Sequence, residues 1–302
     1  MSEALPTVSA AGPERRQPAA PPTASRRDGG RRLLRFLLRR PALVLSLLVV
    51  AAVVLAACRP DLFTGRDPLR GDAAEILRPP SAEHWFGTDE LGRDLYARVV
   101  YGAALSLRST LIAVAVAFCA GAGLGLVAGF AGGWVDAVLM RLVDVLLAVP
   151  GLFLSLAVVT ALGRGTTEVA LAVGLAGVAG FARVMRAEVL RVRHTAYVEA
   201  ARVAGVRWYA VLVRHVLPNA AGPVLVLATL DLGAAVLSVS SLGFLGYGAP
   251  PPAPEWGTLI AGGRDYLADA WWVSAPAGLT VAALVLAVNR ISRALDGEWR
   301  QP

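Results

Sequence analysis

The sequence predicts an all-α integral membrane protein that crosses the bilayer with six helices. Hydrophobic residues make up 56% of the 302 positions and charged residues only 17%, whereas soluble domains carry about 25% charged residues. The mean hydropathy is +0.59. The apolar residues also stand in long uncharged runs, which favours membrane-spanning helices over the short periodic patterns of a soluble core.

Six apolar runs are candidates for the crossings. Eighteen helical residues span about 27 Å, close to the thickness of a bilayer core. The fourth run is the shortest and needs flanking side chains to reach both interfaces. The six runs are residues 41–58, 109–135, 145–163, 169–182, 218–254, which is interrupted only by Asp231, and 270–289.

The runs divide the chain into segments with different predicted environments. Few large apolar side chains occur in the first thirty residues, so that segment cannot bury enough surface to fold. We therefore expect the following division: 1–30 a disordered basic cytoplasmic tail, 31–58 the first transmembrane helix, 59–100 an extracytoplasmic segment, 101–298 a five-helix core with a cytoplasmic loop at 183–218, and 299–302 a cytoplasmic end.

Arginine placement predicts the orientation. With the amino terminus inside, twenty of the 29 basic residues face the cytoplasm and nine face outward. Cytoplasmic flanks accumulate positive residues, so both termini are expected to be cytoplasmic.

The charged residues exclude several functions. No lysine occurs in the chain, and the phosphate-binding loop of ATPases requires one; any ATP must be hydrolysed by another subunit. The arginines flank apolar runs and are not interleaved with aromatic residues, which argues against nucleic-acid binding. No histidine or cysteine lies at the sequence spacing of a metal-binding motif relative to the carboxylates of residues 88–94. We therefore expect no metal or catalytic site there.

Glycines recur within the second and fourth runs at spacings typical of close helix packing. Small residues let helix backbones approach in a membrane, where no hydrophobic effect drives association. We expect ordinary packing at these positions, with a gating hinge as the alternative. The glycines are Gly121, Gly123, Gly125, Gly129, Gly174, Gly177 and Gly180.

The predicted cytoplasmic loop has an amphipathic pattern. Its first part repeats small or aromatic residues at helical spacing, and Gly205 can end that helix because glycine tolerates a left-handed backbone. Trp208, Leu212 and Val216 can form a second short face before Pro218 begins the next crossing. We therefore expect two short helices with a sharp turn. The first face consists of Tyr197, Ala200, Ala201 and Ala204.

This loop resembles the EAA loop of ABC-type importer permeases. The matching residues are Glu199, Ala200 and Ala201, then Gly205, and finally Leu217 and Pro218. In that family the loop inserts as a coupling helix into a groove on the ATP-binding subunit, and a helix in a groove is a common recognition mode. The resemblance implies that Glu199 pairs with a basic residue of that subunit. His215 stands where the family usually has isoleucine, which leaves the details of docking open.

Three further blocks extend the resemblance over roughly residues 30–298. They are similar to the second, "C"-type permease of dipeptide and oligopeptide importers. The blocks are residues 84–94 with 101–103, residues 132–136 running on to Arg141, Asp144 and Pro150, and residues 241–246 with 251–252 and 255–257.

The resemblance implies a set of partners in a prokaryotic cell membrane. They are a homologous permease, with which the chain forms a pseudo-two-fold heterodimer, two cytoplasmic ATP-binding subunits and an extracytoplasmic solute-binding protein, all surrounded by lipid. Magnesium and ATP are expected on the partner subunits. This chain is expected to bind no cofactor and to catalyse no reaction.

Asp231 is the one charged residue inside the fifth run. A carboxylate within a bilayer costs several kcal/mol unless it is paired, protonated or exposed to water. We expect it to line the translocation path, and a structural pair with a serine or threonine of a neighbouring helix is the alternative.

Three other functions stay open at this point. An importer of the same type could carry nickel or another small ligand, because selectivity resides largely in the binding protein. Proton-coupled transport through Asp231 would predict internal repeats and further intramembrane carboxylates, and neither is evident. A lipid-anchored exported protein would be cut before Cys58, but the preceding apolar run is longer than a signal core of about 7 to 15 residues.

Overall fold

The computed structural model describes the backbone of residues 40–299 and the side chains of residues 40–294. The predicted tail at 1–30, the basic cluster at 31–39 and residues 300–302 lie outside the described residues.

Between residues 40 and 299 the chain forms helices and no β-strand, in agreement with the predicted all-α class. Short 3-10 turns lie between the longer helices. The helices are α1 Pro41–Cys58, α2 Leu95–Ala131, α3 Gly133–Ala148, α4 Gly151–Leu162, α5 Thr166–Arg193, α6 Ala196–Val203, α7 Trp208–Val211, α8 Leu217–Phe244, α9 Trp256–Gly262 and α10 Ala275–Trp299.

Five helical segments are long and apolar enough to cross a membrane alone. They are α1, α2, α5, the continuous stretch from α7 through α8, and α10. The pair α3 and α4 makes a sixth crossing if it counts as one broken span. On that count the number of crossings agrees with the sequence prediction of six. The side of the membrane on which each terminus lies stays a prediction.

The third crossing is not the single helix that the uncharged run at 145–163 predicted. α3 and α4 meet at an angle of 95°. Pro150 has no amide hydrogen and disfavours helical geometry in the residue before it. Val149 accordingly adopts an extended conformation, with φ −96° and ψ 128°. Hydropathy does not reflect the backbone geometry of proline, so the uncharged run continues through this break and did not reveal it.

α5 is longer than the predicted fourth crossing. The prediction ended at residue 182, where the first arginine interrupts the run, but the helix continues to Arg193. A charge does not end a helix, because arginine is a good helix former. Arg183 pairs with Asp144 of α3 at 2.8 Å, and Arg186 pairs with Asp136 of α3. The bent part of the predicted loop at 183–218 therefore begins only after α5.

The fifth crossing ends ten residues before the predicted limit at 254, because α8 stops at Phe244. Gly246 is left-handed with φ +88°, and the Tyr247 amide bonds back to the Leu242 carbonyl at 3.0 Å. This glycine cap stops the helix within an uncharged run. The sixth crossing also differs from its run at one end, because α10 begins at Ala275 and not at residue 270.

The α2 and α5 backbones pack closely along one glycine face. A Cβ at Gly121 or Gly125 would overlap the carbonyl oxygens of Val178 and Ala182, and one at Gly129 would meet Val189. At Gly123, by contrast, a Cβ would meet nothing within 4 Å. The packing prediction is therefore confirmed for Gly121, Gly125 and Gly129 of α2.

Candidate functional site

α6 lies with one face against the helical bundle and the other exposed. Val198 is fully buried, and Ala201 packs beside it against the same apolar cluster. Tyr197, Glu199 and Ala200 point away from the bundle and are exposed. The predicted small-residue face thus exists, except that Ala201 is turned partly toward the core.

Gly205 ends α6 in the predicted left-handed conformation, with φ +77°. The Gly205 amide donates to the Arg202 carbonyl at 3.0 Å, and the Val206 amide donates to the Ala201 carbonyl at 3.1 Å. This pair of bonds is a Schellman motif, which satisfies helix-terminal carbonyls while the chain reverses. The two short helices and the sharp turn are confirmed, since α7 starts at Trp208.

A π-helical turn connects α7 to α8. It spans Leu212–Val216, and the Leu217 amide donates to the Leu212 carbonyl, five residues back. Pro218 follows in the first turn of α8. A proline has no amide to donate and its ring clashes with the carbonyl four residues earlier, so the wider turn lets the helix continue through it. The Leu-Pro pair therefore joins the bent segment directly to a membrane helix.

All six residues predicted for docking lie in the segment 196–218, which we call the coupling segment. Four of them are exposed, and two are partly buried against the bundle. The exposed residues are Glu199, Ala200, Gly205 and Pro218; the partly buried residues are Ala201 and Leu217.

Large apolar side chains are exposed on the coupling segment. Val203 is 90% exposed and Trp208 67%. A patch of exposed apolar residues rimmed by charges is typical of a protein interaction surface. The further members of the patch are Tyr197, Val206, Tyr209 and Val213, and the charged rim consists of Glu199, Arg202, Arg207 and Arg214.

Aromatic contacts hold this surface against the rest of the chain. The Phe130 ring of α2 lies 6.3 Å from the Trp208 ring, and the Arg202 guanidinium lies 5.5 Å from the Phe130 centroid. His215 stands 6.4 Å from Tyr197, ring to ring. The histidine that replaces the usual isoleucine therefore packs against Tyr197 within the coupling segment.

A buried cluster of valines ties the coupling segment to α5 and α8. Val189 and Val192 of α5 pack with Val198, Val211 and Val216, and all five are at most 1% exposed. Close-packed interiors have low compressibility and transmit strain. A force on α6 should therefore move the ends of α5 and α8 that adjoin it.

Asp231 lies apart from the coupling segment, midway along α8. Its side chain lines a cavity of about 160 Å³ between α4, α5 and α8. Most of the other walls are small side chains. The lining residues are Gly151, Leu152, Ser155, Val173, Ala176, Gly177, Asp231, Ala234, Ala235 and Ser238.

No serine or threonine pairs with Asp231 within the described residues. Among residues 40–294 its carboxylate accepts no hydrogen bond and forms no ion pair, although it is partly buried. Ser155, which lines the same cavity from another helix, donates to the Leu152 carbonyl at 2.9 Å instead. The structural alternative therefore has no support in this part of the chain.

Residues 121–301 match the family model described as "binding-protein-dependent transport system inner membrane component". This region includes the whole coupling segment and Asp231. The chain belongs to this family. It is accordingly a multi-pass inner-membrane transport component, and family membership describes a transport role rather than an enzymatic one.

Curated relatives are similar over most of this transport component. The dipeptide transport system permease protein DppC of Alkalihalophilus pseudofirmus is 38% identical over 78% of this chain and 77% of its own length. The di/tripeptide transport system permease protein DppC of Pseudomonas aeruginosa is 42% identical over 74% and 76%. The probable D,D-dipeptide transport system permease protein DdpC of Escherichia coli is 40% identical over 74% and 75%.

A solved structure confirms the fold. A chain of the MetNI methionine ABC transporter in an inward-facing conformation superposes with a TM-score of 0.53 and 20% identity. The match covers 66% of this transport component and 96% of that chain.

The segment 59–94, between α1 and α2, contains a cluster that linear spacing did not indicate. His84 is buried, with Nδ1 2.8 Å from Asp94 Oδ2 and Nε2 2.9 Å from Glu75 Oε2. Arg66 Nη1 lies 3.1 Å from His84 Nδ1. Ligand atoms of Glu75, Glu83 and His84 lie within 4.8 Å of one another. A histidine therefore does contact carboxylates in this segment, although the sequence spacing did not indicate it. The contact with Asp94 joins the segment to the start of α2, because Asp94 is the N-cap of that helix.

Glu255, part of the block 255–257 noted in the sequence, is a buried carboxylate. Its side chain accepts hydrogen bonds from the Gly257 and Thr258 amides and caps α9. Burial raises the pKa of Glu255 above the ordinary glutamate range, and the two amide bonds oppose this increase. The N-cap pattern of an acid before a short helix could have indicated this capping role.

Proposed function

We propose that this chain is one of two membrane subunits of an ATP-driven importer of di- and oligopeptides. It would pair with a homologous permease about a pseudo-two-fold axis, contact two cytoplasmic ATP-binding subunits, and receive peptide from an extracytoplasmic binding protein. ATP and magnesium would be bound by the ATP-binding subunits.

The coupling segment carries this proposal. It lies within the region that matches the family, it exposes apolar side chains, and its buried valines connect it to α5 and α8. In the proposed cycle, ATP closes the two ATP-binding subunits and draws the coupling segments together. The displacement then switches the helices between two conformations, because each conformation makes different contacts with the ATP-bound subunits.

The relatives support peptides over nickel as the cargo. Those at 38% to 42% identity are named for dipeptides or di- and tripeptides, and a relative named for glutathione transport is 37% identical. Family membership likewise supports a binding-protein-dependent importer over a proton-coupled transporter. Asp231 is proposed to line the path through the membrane.

Co-purification with the ATP-binding subunits tests the docking role. Val203→Asp places a charge at the most exposed apolar residue of the coupling segment and should abolish co-purification. Ile76→Asp places the same charge at an exposed apolar residue of segment 59–94 and should leave it intact. Equal retention in both variants would contradict docking through this surface.

Cysteine labelling tests the predicted orientation. Both native cysteines, Cys58 and Cys119, are exposed and must first be replaced by serine. Glu199→Cys in that background should react with a membrane-impermeant maleimide only after cells are permeabilised. Labelling in intact cells would place the coupling segment outside and exclude the proposed function.

A further inference from the structure

The cavity beside Asp231 offers oxygen acceptors and no basic side chain. Its lining within the described chain includes the Asp231 carboxylate and the hydroxyls of Ser155 and Ser238, while the other lining residues are apolar. Asp231 and Ser238 are seven residues apart on α8 and so share one helix face. Ser155 faces them from α4. Three acceptor groups therefore meet in one small space inside the membrane region.

An ammonium group complements this set of acceptors. A carboxylate is expensive within a membrane unless an opposite charge or water reaches it. A primary ammonium supplies one positive charge and three hydrogen-bond donors. The serine hydroxyls can accept two of these hydrogen bonds and the carboxylate the third, with charge assistance.

We propose that this cavity binds the α-ammonium group of the peptide during its passage, so that Asp231 selects cargo with a free amino terminus. This inference rests on the proposed function as a peptide importer. It adds a specificity-determining residue in the membrane subunit, separate from any selection by the binding protein.

The size of the cavity limits what enters it. Its 160 Å³ is close to the roughly 150 Å³ of a protein cavity that holds benzene. It can therefore take the terminal ammonium with a small side chain, but not a whole dipeptide. Leu152 also lines a neighbouring apolar groove of about 720 Å³, formed mainly by α8 and α10. The groove provides space for the rest of an apolar peptide.

The cavity also adjoins the break between α3 and α4. Gly151 and Leu152, which line it, form the first turn after Pro150. A change in the 95° bend would therefore alter the cavity walls, which gives the site a way to release the ammonium. The peptide meets this site only after the binding protein has delivered it. Asp231 should therefore affect the maximal transport rate, and not the concentration of loaded binding protein that gives half of that rate.

Uptake by the complete transporter in proteoliposomes tests the proposal. The assay compares alanyl-alanine with N-acetyl-alanyl-alanine, each at saturating loaded binding protein, and the readout is the ratio of their maximal rates. Selection by the binding protein is the same for all permease variants, so it cancels when their ratios are compared. Asp231→Asn should lower the free-to-acetylated ratio about tenfold, as expected for a lost charge-assisted hydrogen bond.

Two further variants complete the design. Ser238→Ala removes one acceptor but keeps the charge, and it should lower the ratio about threefold. Asp265→Asn makes the same acid-to-amide change at an exposed residue outside the cavity and should leave the ratio unchanged.

The outcomes separate this proposal from the proposed function. If the wild type transports peptide but Asp231→Asn leaves the ratio unchanged, or slows both peptides equally, ammonium binding is excluded and the importer role stands. If the wild type transports neither peptide, both are overturned. Asp231→Asn could fail to assemble if the carboxylate pairs with a partner subunit, and Ser238→Ala is then the deciding variant. An unchanged free-to-acetylated ratio in Ser238→Ala overturns the proposal.

Discussion

Arg186 of α5 holds Asp136 of α3 through two hydrogen bonds, one of them 2.6 Å long from Nη2 to Oδ2. The pair joins the first half of the broken crossing to the helix that leads into the coupling segment. Arg193, seven residues further along α5, donates to the Gly129 carbonyl of α2 at 2.7 Å. Arginines of α5 thus connect three helices near the proposed ATPase-binding side.

The Arg186–Asp136 pair should stabilise the arrangement of α3 against α5. Asp136→Asn should lower the free energy of unfolding by about 1 kcal/mol, a value near the upper end for a partly exposed pair. A double-mutant cycle with Arg186→Gln, followed by thermal unfolding of the purified protein, measures the coupling between the two residues. Strictly additive effects of the two substitutions would show that the pair contributes nothing.

The glycine face between α2 and α5 gives a matched pair of substitutions on one helix. Gly125→Ala forces a methyl group against the Ala182 carbonyl and should destabilise the protein by about 2 kcal/mol. Gly123→Ala meets nothing within 4 Å and should be neutral or stabilising, because alanine is the better helix former. Thermal unfolding in detergent measures both, and equal effects would contradict the packing role.

The sequence was sufficient to predict the helices whose limits are set by composition. α1 coincides with an uncharged run, and the coupling segment could be predicted because Gly205 marks its turn. The helix ends at Ala148 and Phe244 could not be located from hydropathy, since Pro150 and Gly246 interrupt helices inside uncharged runs.

Long-range contacts account for further features that hydropathy along the chain does not report. Arg183 and Arg186 of α5 pair with carboxylates of α3, and hydropathy along the chain does not report these pairs. The His84 cluster joins residues that are 9 to 18 positions apart, and no local pattern reports such a contact. The cavity at Asp231 likewise depends on how three helices pack.

Gly205 should tolerate only residues that accept a left-handed backbone. Gly205→Ala should cost about 1 to 2 kcal/mol through backbone strain alone, because no atom lies within 4 Å of the added methyl. Gly205→Asn should behave more like the wild type, since asparagine adopts this conformation more readily. Hydrogen exchange across residues 196–211 measures the effect. Equal protection in the alanine variant would contradict a need for the glycine.

His84 should hold the segment 59–94 in its folded conformation. His84→Ala leaves Asp94 and Glu75 without their imidazole contacts, at a cost of about 1 to 3 kcal/mol for the buried group. Limited proteolysis should then cleave within 59–94 faster than in the wild type. His194→Ala removes an exposed histidine and serves as the control. Unchanged cleavage in His84→Ala would show that the cluster is not needed for this fold.

Glu255 should make stability decrease as pH rises. Burial raises its pKa in the folded state, so the folded chain retains this proton at pH values where the unfolded chain has lost it. The proton on Glu255 therefore contributes to the free energy of unfolding. This contribution is fully present below the pKa of the unfolded glutamate, about 4.3. It is lost as the pH rises from there through the raised pKa of the folded state. Thermal unfolding of the purified protein between about pH 4.5 and 7 measures the decline.

Glu255→Gln separates this carboxyl from the other titrating groups. The amide does not ionise, so the part of the decline that belongs to Glu255 should disappear, although one amide bond at the start of α9 is lost at every pH. Glu83→Gln removes an exposed carboxylate and should keep the wild-type slope. The same slope in Glu255→Gln and the wild type would mean that Glu255 is ionised in the folded protein throughout this range, held by the Gly257 and Thr258 amides against the cost of burial.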